Sequence, residues 1–60
     1  MRVLVVDDEK PARDRLIQIL ADEPDYDVVG EAANGEETLE LAAKLAPDIV
    51  LLDIRMPGME

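Results

Sequence analysis

Cysteine and histidine are both absent, and so are tryptophan and phenylalanine. Without cysteine no disulfide can form, and without either residue no Cys/His zinc site can be built. A reducing cytoplasm suits such a chain. One tyrosine is the whole aromatic complement, too little for a platform on which bases could stack. Basic residues are scarce: 6 Lys and Arg stand against 15 Asp and Glu, a formal charge of −9. That balance repels a phosphate backbone, so direct nucleic-acid binding by this segment is not expected. No apolar run approaches the about 20 residues that span a bilayer, so no membrane role is expected. Met1-Arg2, four apolar residues and then Asp7-Asp8-Glu9 are too short and too acidic for a secretory leader. The 60 residues make at most one small domain, and a domain of that size buries only roughly 60% of its unfolded surface.

What is present is a repeated motif. Val3-Leu4-Val5-Val6 runs into Asp7-Asp8, and Ile49-Val50-Leu51-Leu52 runs into Asp53. Unbroken apolar runs of this length read as strands buried on both faces, as in parallel sheets. Each ends in acid, and the second is followed by the turn residues Pro57-Gly58.

The chain reads strand, helix, strand, helix, strand. The first strand is residues 2–6. Pro11 suits the first turn of a helix, where its missing N–H has no partner to lose. Ala12, Leu16, Ile19 and Leu20 follow at helical spacing and are its expected inward face. Asp22-Glu23-Pro24-Asp25 closes it with a polar loop. Residues 26–32 form a second, more polar strand, which reads as an edge. Asn34-Gly35 opens a second helix over residues 35–46, with Leu39, Ala42, Ala43 and Ala46 as its expected inward residues. Glu36 and Glu37 at its start and Lys44 at its end match the helix dipole. Pro47-Asp48 stops it. The third strand is residues 49–53.

Strands joined by helices of this length pair in parallel through right-handed crossovers. The two most apolar strands, the first and third, should be neighbours, with the second outside the first. The expected order is therefore 2-1-3, with the helices on opposite faces. Reversal of direction at the first strand opens a crevice at the carboxyl ends of strands one and three, where open α/β sheets bind ligands. Adjacent strands lie about 4.8 Å apart, so Asp7, Asp8 and Asp53 should converge there.

Three carboxylates so close repel one another unless some are protonated or a cation joins them. Oxygen ligands alone favour a hard ion, Mg²⁺ or Mn²⁺. The turn Asp7-Asp8-Glu9-Lys10-Pro11 holds no glycine, so it is neither a dinucleotide-binding turn nor a P-loop. Phosphate could come here only through a metal, and a carboxylate facing a metal-bound phosphoryl group can act as nucleophile. Asp53, alone at its strand end, is the better nucleophile; the pair Asp7-Asp8 is the better metal platform. A phosphohydrolase is disfavoured, because Arg55 stands two residues after Asp53 where a general acid would be needed. Lys10 and Arg13 read as helix-surface charges with Asp14 or Glu9 as partners.

Val3 to Glu9, Arg13 with Leu16, Asn34 to Glu37, Pro47 to Asp53 and Met56 to Met59 together resemble the N-terminal half of a response-regulator receiver domain of two-component signalling. The resemblance covers almost the whole chain. It implies an α/β, flavodoxin-like receiver fold, here the N-terminal βαβαβ half with parallel sheet order 2-1-3. A receiver domain is itself a standard instance of the 2-1-3-4-5 sheet. By resemblance, Asp53 is the phosphoacceptor for a sensor histidine kinase. Asp8 binds Mg²⁺ directly, with Asp53, the backbone carbonyl of Arg55 and, through water or directly, Asp7. The implied protein is no enzyme beyond self-catalysed phosphoryl transfer to and from Asp53, and it is cytoplasmic. Pro11-Ala12-Arg13 most resembles regulators that carry a LytTR-type DNA-binding domain.

The family pattern continues past the point where this sequence stops. It adds a strand ending in Ser or Thr and another ending in Lys, and neither Lys10 nor Lys44 matches that lysine. The sequence thus reads as a partial receiver domain over residues 1–60, a truncated piece whose effector, DNA-binding by expectation, lies beyond Glu60. So cut, it would not be fully switch-competent. The alternative expectation is a half-domain assembly unit, a homodimer paired through the third strand and without phosphotransfer.

Overall fold

The computed structural model describes residues 1–52. Five elements follow in order: β1 (Arg2–Val6), α1 (Lys10–Ala21), β2 (Asp27–Ala32), α2 (Gly35–Leu45) and β3 (Ile49–Leu52). All pairing is parallel, and the sheet order is β2-β1-β3. This is the expected order, with the polar second strand at an edge.

β1 is the core. Val3, Leu4 and Val5 are 2%, 0% and 0% exposed, and Val6 is buried with them. Each such side chain contributes about 1.5–3 kcal/mol by leaving water. Alternation sends Leu4 and Val6 to one face of the sheet and Val3 and Val5 to the other. On the first face Leu4, Val6 and Ala32 cluster beneath Leu41 and Ala42 of α2. The second face lies under α1, which packs on both β1 and β2.

β2 carries an irregularity that decides what faces where. Val3 pairs with Val28, but Leu4 pairs with Gly30, so Val29 is an extra residue in the ladder. Bulges are rare in parallel pairs. Beyond it Glu31 pairs with Val5 and Ala32 with Val6. Gly30 and Ala32 therefore face α2, and Glu31 faces α1. The glycine lets Leu45 come close: a Cβ at Gly30 would lie 2.8 Å from Cδ1 of Leu45 and would displace that side chain.

Three expectations about buried faces need correction. In α2 the half-buried residues are Thr38, Leu41, Ala42 and Leu45, whereas Leu39, Ala43 and Ala46 are exposed, Leu39 at 75%. Leu45 seated on Gly30 turns the helix to this face. In α1 Ala12, Leu16 and Leu20 do point inward, joined by Arg13 and Ile17, while Ile19 is exposed. β3 is not enclosed on both faces either, since Val50 and Leu52 are exposed. Both helices pack on β1 and β2, which leaves one face of β3 uncovered among the described residues.

Local chemistry sets the helix ends. The Asn34 side chain accepts from the Glu37 N–H at 2.8 Å, and Glu37 Oε1 accepts from the Ala33 N–H at 2.7 Å. This reciprocal arrangement is close to a capping box. At the other end Ala46 adopts a left-handed conformation with φ 47°, and its N–H donates to the Ala42 carbonyl at 3.0 Å. Arg2, not Lys44 alone, serves this terminus: its Nη2 donates to the Leu45 carbonyl. Asp48 then ties the entry of β3 to β1, its N–H donating to the Arg2 carbonyl at 2.8 Å and its carboxylate accepting from the Arg2 N–H at 2.8 Å. α1 has no side-chain cap from Glu9, and Pro11 sits in its first turn as expected.

Two substitutions test these ends by urea unfolding. Ala46→Gly relieves the left-handed strain and should stabilise the chain by about 1 kcal/mol. Asn34→Ala removes the cap and should cost about 1 kcal/mol.

Candidate functional site

The two acids at the end of β1 have opposite surroundings. Asp7 is 2% exposed and is the buried charged residue of the described chain. Asp8 is exposed. Asp7 continues the buried line of β1, and its N–H donates to the Ala32 carbonyl of β2 at 3.1 Å. Its carboxylate Oδ1 accepts from the Glu9 N–H at 2.9 Å. A side-chain oxygen bonded to the N–H two residues on is the local turn chemistry that Asp favours. The turn that leads into α1 is thus closed by Asp7 itself.

Burial of a carboxylate is costly unless hydrogen bonds receive it, and here the fold supplies one from the main chain. Asp8 carries no hydrogen bond or ion pair among the described residues. It follows Asp7 beyond the end of β1, whose Val6 pairs with Leu52 of β3. Asp53, the next residue after that pair, lies outside the described residues, as does Arg55. Convergence of the third carboxylate and the role of the Arg55 carbonyl therefore fall there too. Among the described residues no group of three or more acids gathers as a metal cluster; the described wall of the crevice holds the pair Asp7-Asp8.

That pair fits a hard cation. Its donors are carboxylate oxygens, one held in place and one exposed and unengaged. Mg²⁺ usually takes one or two carboxylates from a protein and keeps water or phosphate for the rest.

Arg13 is the residue that sequence reading misplaced. Its side chain is 13% exposed rather than a surface charge. Nε donates to Glu31 Oε1 at 2.9 Å, and Nη1 donates to the main-chain carbonyl of Asp7 at 2.8 Å. The Glu31 hydrogen bond raises the Arg13 pKa above its ordinary value; burial opposes this, and the charges of Glu31, Asp14 and Glu37 add to it. Lys10 does pair with Asp14, at 3.1 Å on the exposed face of α1, a contact worth little to stability. The sequence signal for Arg13 was its helical spacing with Leu16, Ile17 and Leu20, which sets it on the inward stripe.

Fold and acids together define a class: a doubly wound α/β module with an acidic mouth at the point where strand order reverses. Residues 3–60 match the family described as response regulator receiver domain. The chain belongs to that family, the receiver domains of two-component response regulators. It is 49% identical over 57 residues to the nitrate/nitrite response regulator protein NarL of Escherichia coli K12, covering 95% of this chain and 26% of that protein. It is 54% identical over 61 residues to the positive alginate biosynthesis regulatory protein of Pseudomonas aeruginosa, covering 100% of this chain and 25% of that one. The response regulator domain of Thermotoga maritima CheB superposes with a TM-score of 0.86 at 45% identity, covering 100% of this chain and 45% of that domain. The chain thus spans about a quarter of the length of these curated relatives. The flavodoxin-like receiver fold expected from the sequence is the fold observed.

The contrast between the two acids is open to measurement by amide hydrogen exchange. Asp7→Ala should speed exchange of the Glu9 N–H about fivefold, the loss of a hydrogen bond worth about 1 kcal/mol. Asp8→Ala should leave that amide unchanged.

Proposed function

We propose that this chain is the phosphoacceptor module of a two-component regulator, with Asp53 as the residue phosphorylated. The observation that carries the reading is the acid pair at the end of β1, one residue past the point where Val6 pairs with Leu52. Membership of the receiver family supports it. Asp8, Asp53 and the Arg55 carbonyl would hold Mg²⁺, with Asp7 coordinating through water or directly. Bound Mg²⁺ supplies positive charge that lets an anionic phosphoryl group approach these acids. One carboxylate oxygen of Asp53 attacks phosphorus; a P–O bond forms as the P–N bond to the kinase histidine breaks, and the imidazole leaves and takes up a proton. Asp7, fixed by the Glu9 N–H, keeps the turn in place. Asp53 is used stoichiometrically, so the module is an acceptor rather than a turnover enzyme.

The donor in this reading is a sensor histidine kinase, in the cytoplasm. The output is an effector beyond Glu60, DNA-binding by preference, and of the LytTR type if Pro11-Ala12-Arg13 is a guide. No helix of the described residues is long and apolar enough to cross a membrane. The relatives, two of them named as regulators of nitrate/nitrite response and alginate biosynthesis, support signalling over assembly through β3.

Acetyl phosphate is the direct probe. With Mg²⁺, intact-mass measurement should show the gain of one phosphoryl group. Asp53→Ala or chelation of Mg²⁺ should abolish it. A gain that survives Asp53→Ala would remove Asp53 from the reading.

A further inference from the structure

Arg13 joins three elements at one point. It stands on the inward stripe of α1, holds Glu31 on β2, and donates to the main-chain carbonyl of Asp7. The bulge at Val29 is what brings Glu31 to that face, opposite Val5. The Asp7 peptide is consequently gripped on three sides: its N–H by Ala32, its carbonyl by Arg13, and its carboxylate by the Glu9 N–H. Asp8 hangs from this peptide.

We propose that Arg13 is a positioning residue for the cation site, its two-pronged contact with Glu31 and the Asp7 carbonyl fixing the turn that presents Asp8. The proposal rests on the reading above that Asp7 and Asp8 hold Mg²⁺. A guanidinium suits the task because its donors lie in one rigid plane, so a grip on Glu31 aims the other prong. A lysine has equal charge but no such fork. Groups behind the primary ligands commonly carry about tenfold or more of a metal's affinity.

Charge and geometry predict opposite outcomes. As a nearby cation, Arg13 repels Mg²⁺, and its removal should tighten binding. As a strut, its removal should weaken binding. Calorimetric titration of the whole chain with Mg²⁺ alone separates the two. We expect Arg13→Lys, with charge conserved, to bind Mg²⁺ about tenfold more weakly. Arg13→Ala should also weaken it, despite losing a repelling charge. In the metal-free chain both variants should exchange the Glu9 amide faster than wild type. Should Arg13→Lys fail to fold, Glu31→Gln loosens the same fork from its other end and should weaken Mg²⁺ binding in the same direction. Thermal unfolding without metal serves as a control, since a merely structural role lowers the midpoint and leaves the affinity of the folded chain unchanged. Unchanged affinity in Arg13→Lys and Glu31→Gln, or tighter binding in Arg13→Ala, overturns the positioning role alone. If the wild-type chain binds no Mg²⁺, the cation site falls and the proposal falls with it.

Discussion

β1 has four consecutive side chains enclosed between two helical layers, and a strand so enclosed must satisfy its backbone through the strands beside it. Parallel partners on both edges do this. Much of the remaining structure is a consequence. A central parallel strand needs a crossover to each neighbour, so α1 and α2 take opposite faces. Its carboxyl end emerges where the crossovers diverge, and the residue placed there is Asp7. The hydrophobic run and the acid are thus one device: burial of Val3 to Val6 carries a carboxylate to the edge of the core.

The charge of −9 is not spread without order. Lys10 is committed to Asp14 and Arg13 to Glu31, while Arg2 serves the end of α2. Three of the scarce basic residues therefore stitch elements together or brace a helix. Asp8 has no basic partner among the described residues. Under the proposed function a hard cation takes that place and leaves room for a phosphate oxygen.

Much of this was legible in the sequence, because periodicity and turn chemistry agreed. Strand and helix limits, the order 2-1-3, the opening of α2 at Asn34-Gly35 and the edge position of β2 follow from residues that act locally. The inward faces of the helices were harder. In α2 the set Leu39, Ala42, Ala43 and Ala46 repeats at the same interval as Thr38, Leu41, Ala42 and Leu45. Packing chooses between them: Leu41 and Ala42 lie on the cluster of Leu4, Val6 and Ala32, and Leu45 approaches Gly30. Burial of β3 was overread because an apolar run says that faces can be covered, not that helices reach them. Arg13 was misread for a related reason: its partners lie on β2 and at the end of β1, and a charged residue on a helix suggests near neighbours first.

Side chains along a strand alternate like odd and even numbers, and the extra Val29 changes the parity of β2 halfway along. Before it, positions match β1 in one count; after it, in the other. With no bulge Gly30 would oppose Val5 and Glu31 would oppose Val6. The glycine would then face Arg13, leaving it nothing to hold, and the carboxylate would lie under the aliphatic side chains of α2. One inserted residue therefore sorts a small neighbour to the packed layer and a charged one to the acidic rim. Pairing the same residues without the bulge would exchange those two destinations although every residue type is kept. What the sequence specifies at this edge is a count as much as a composition.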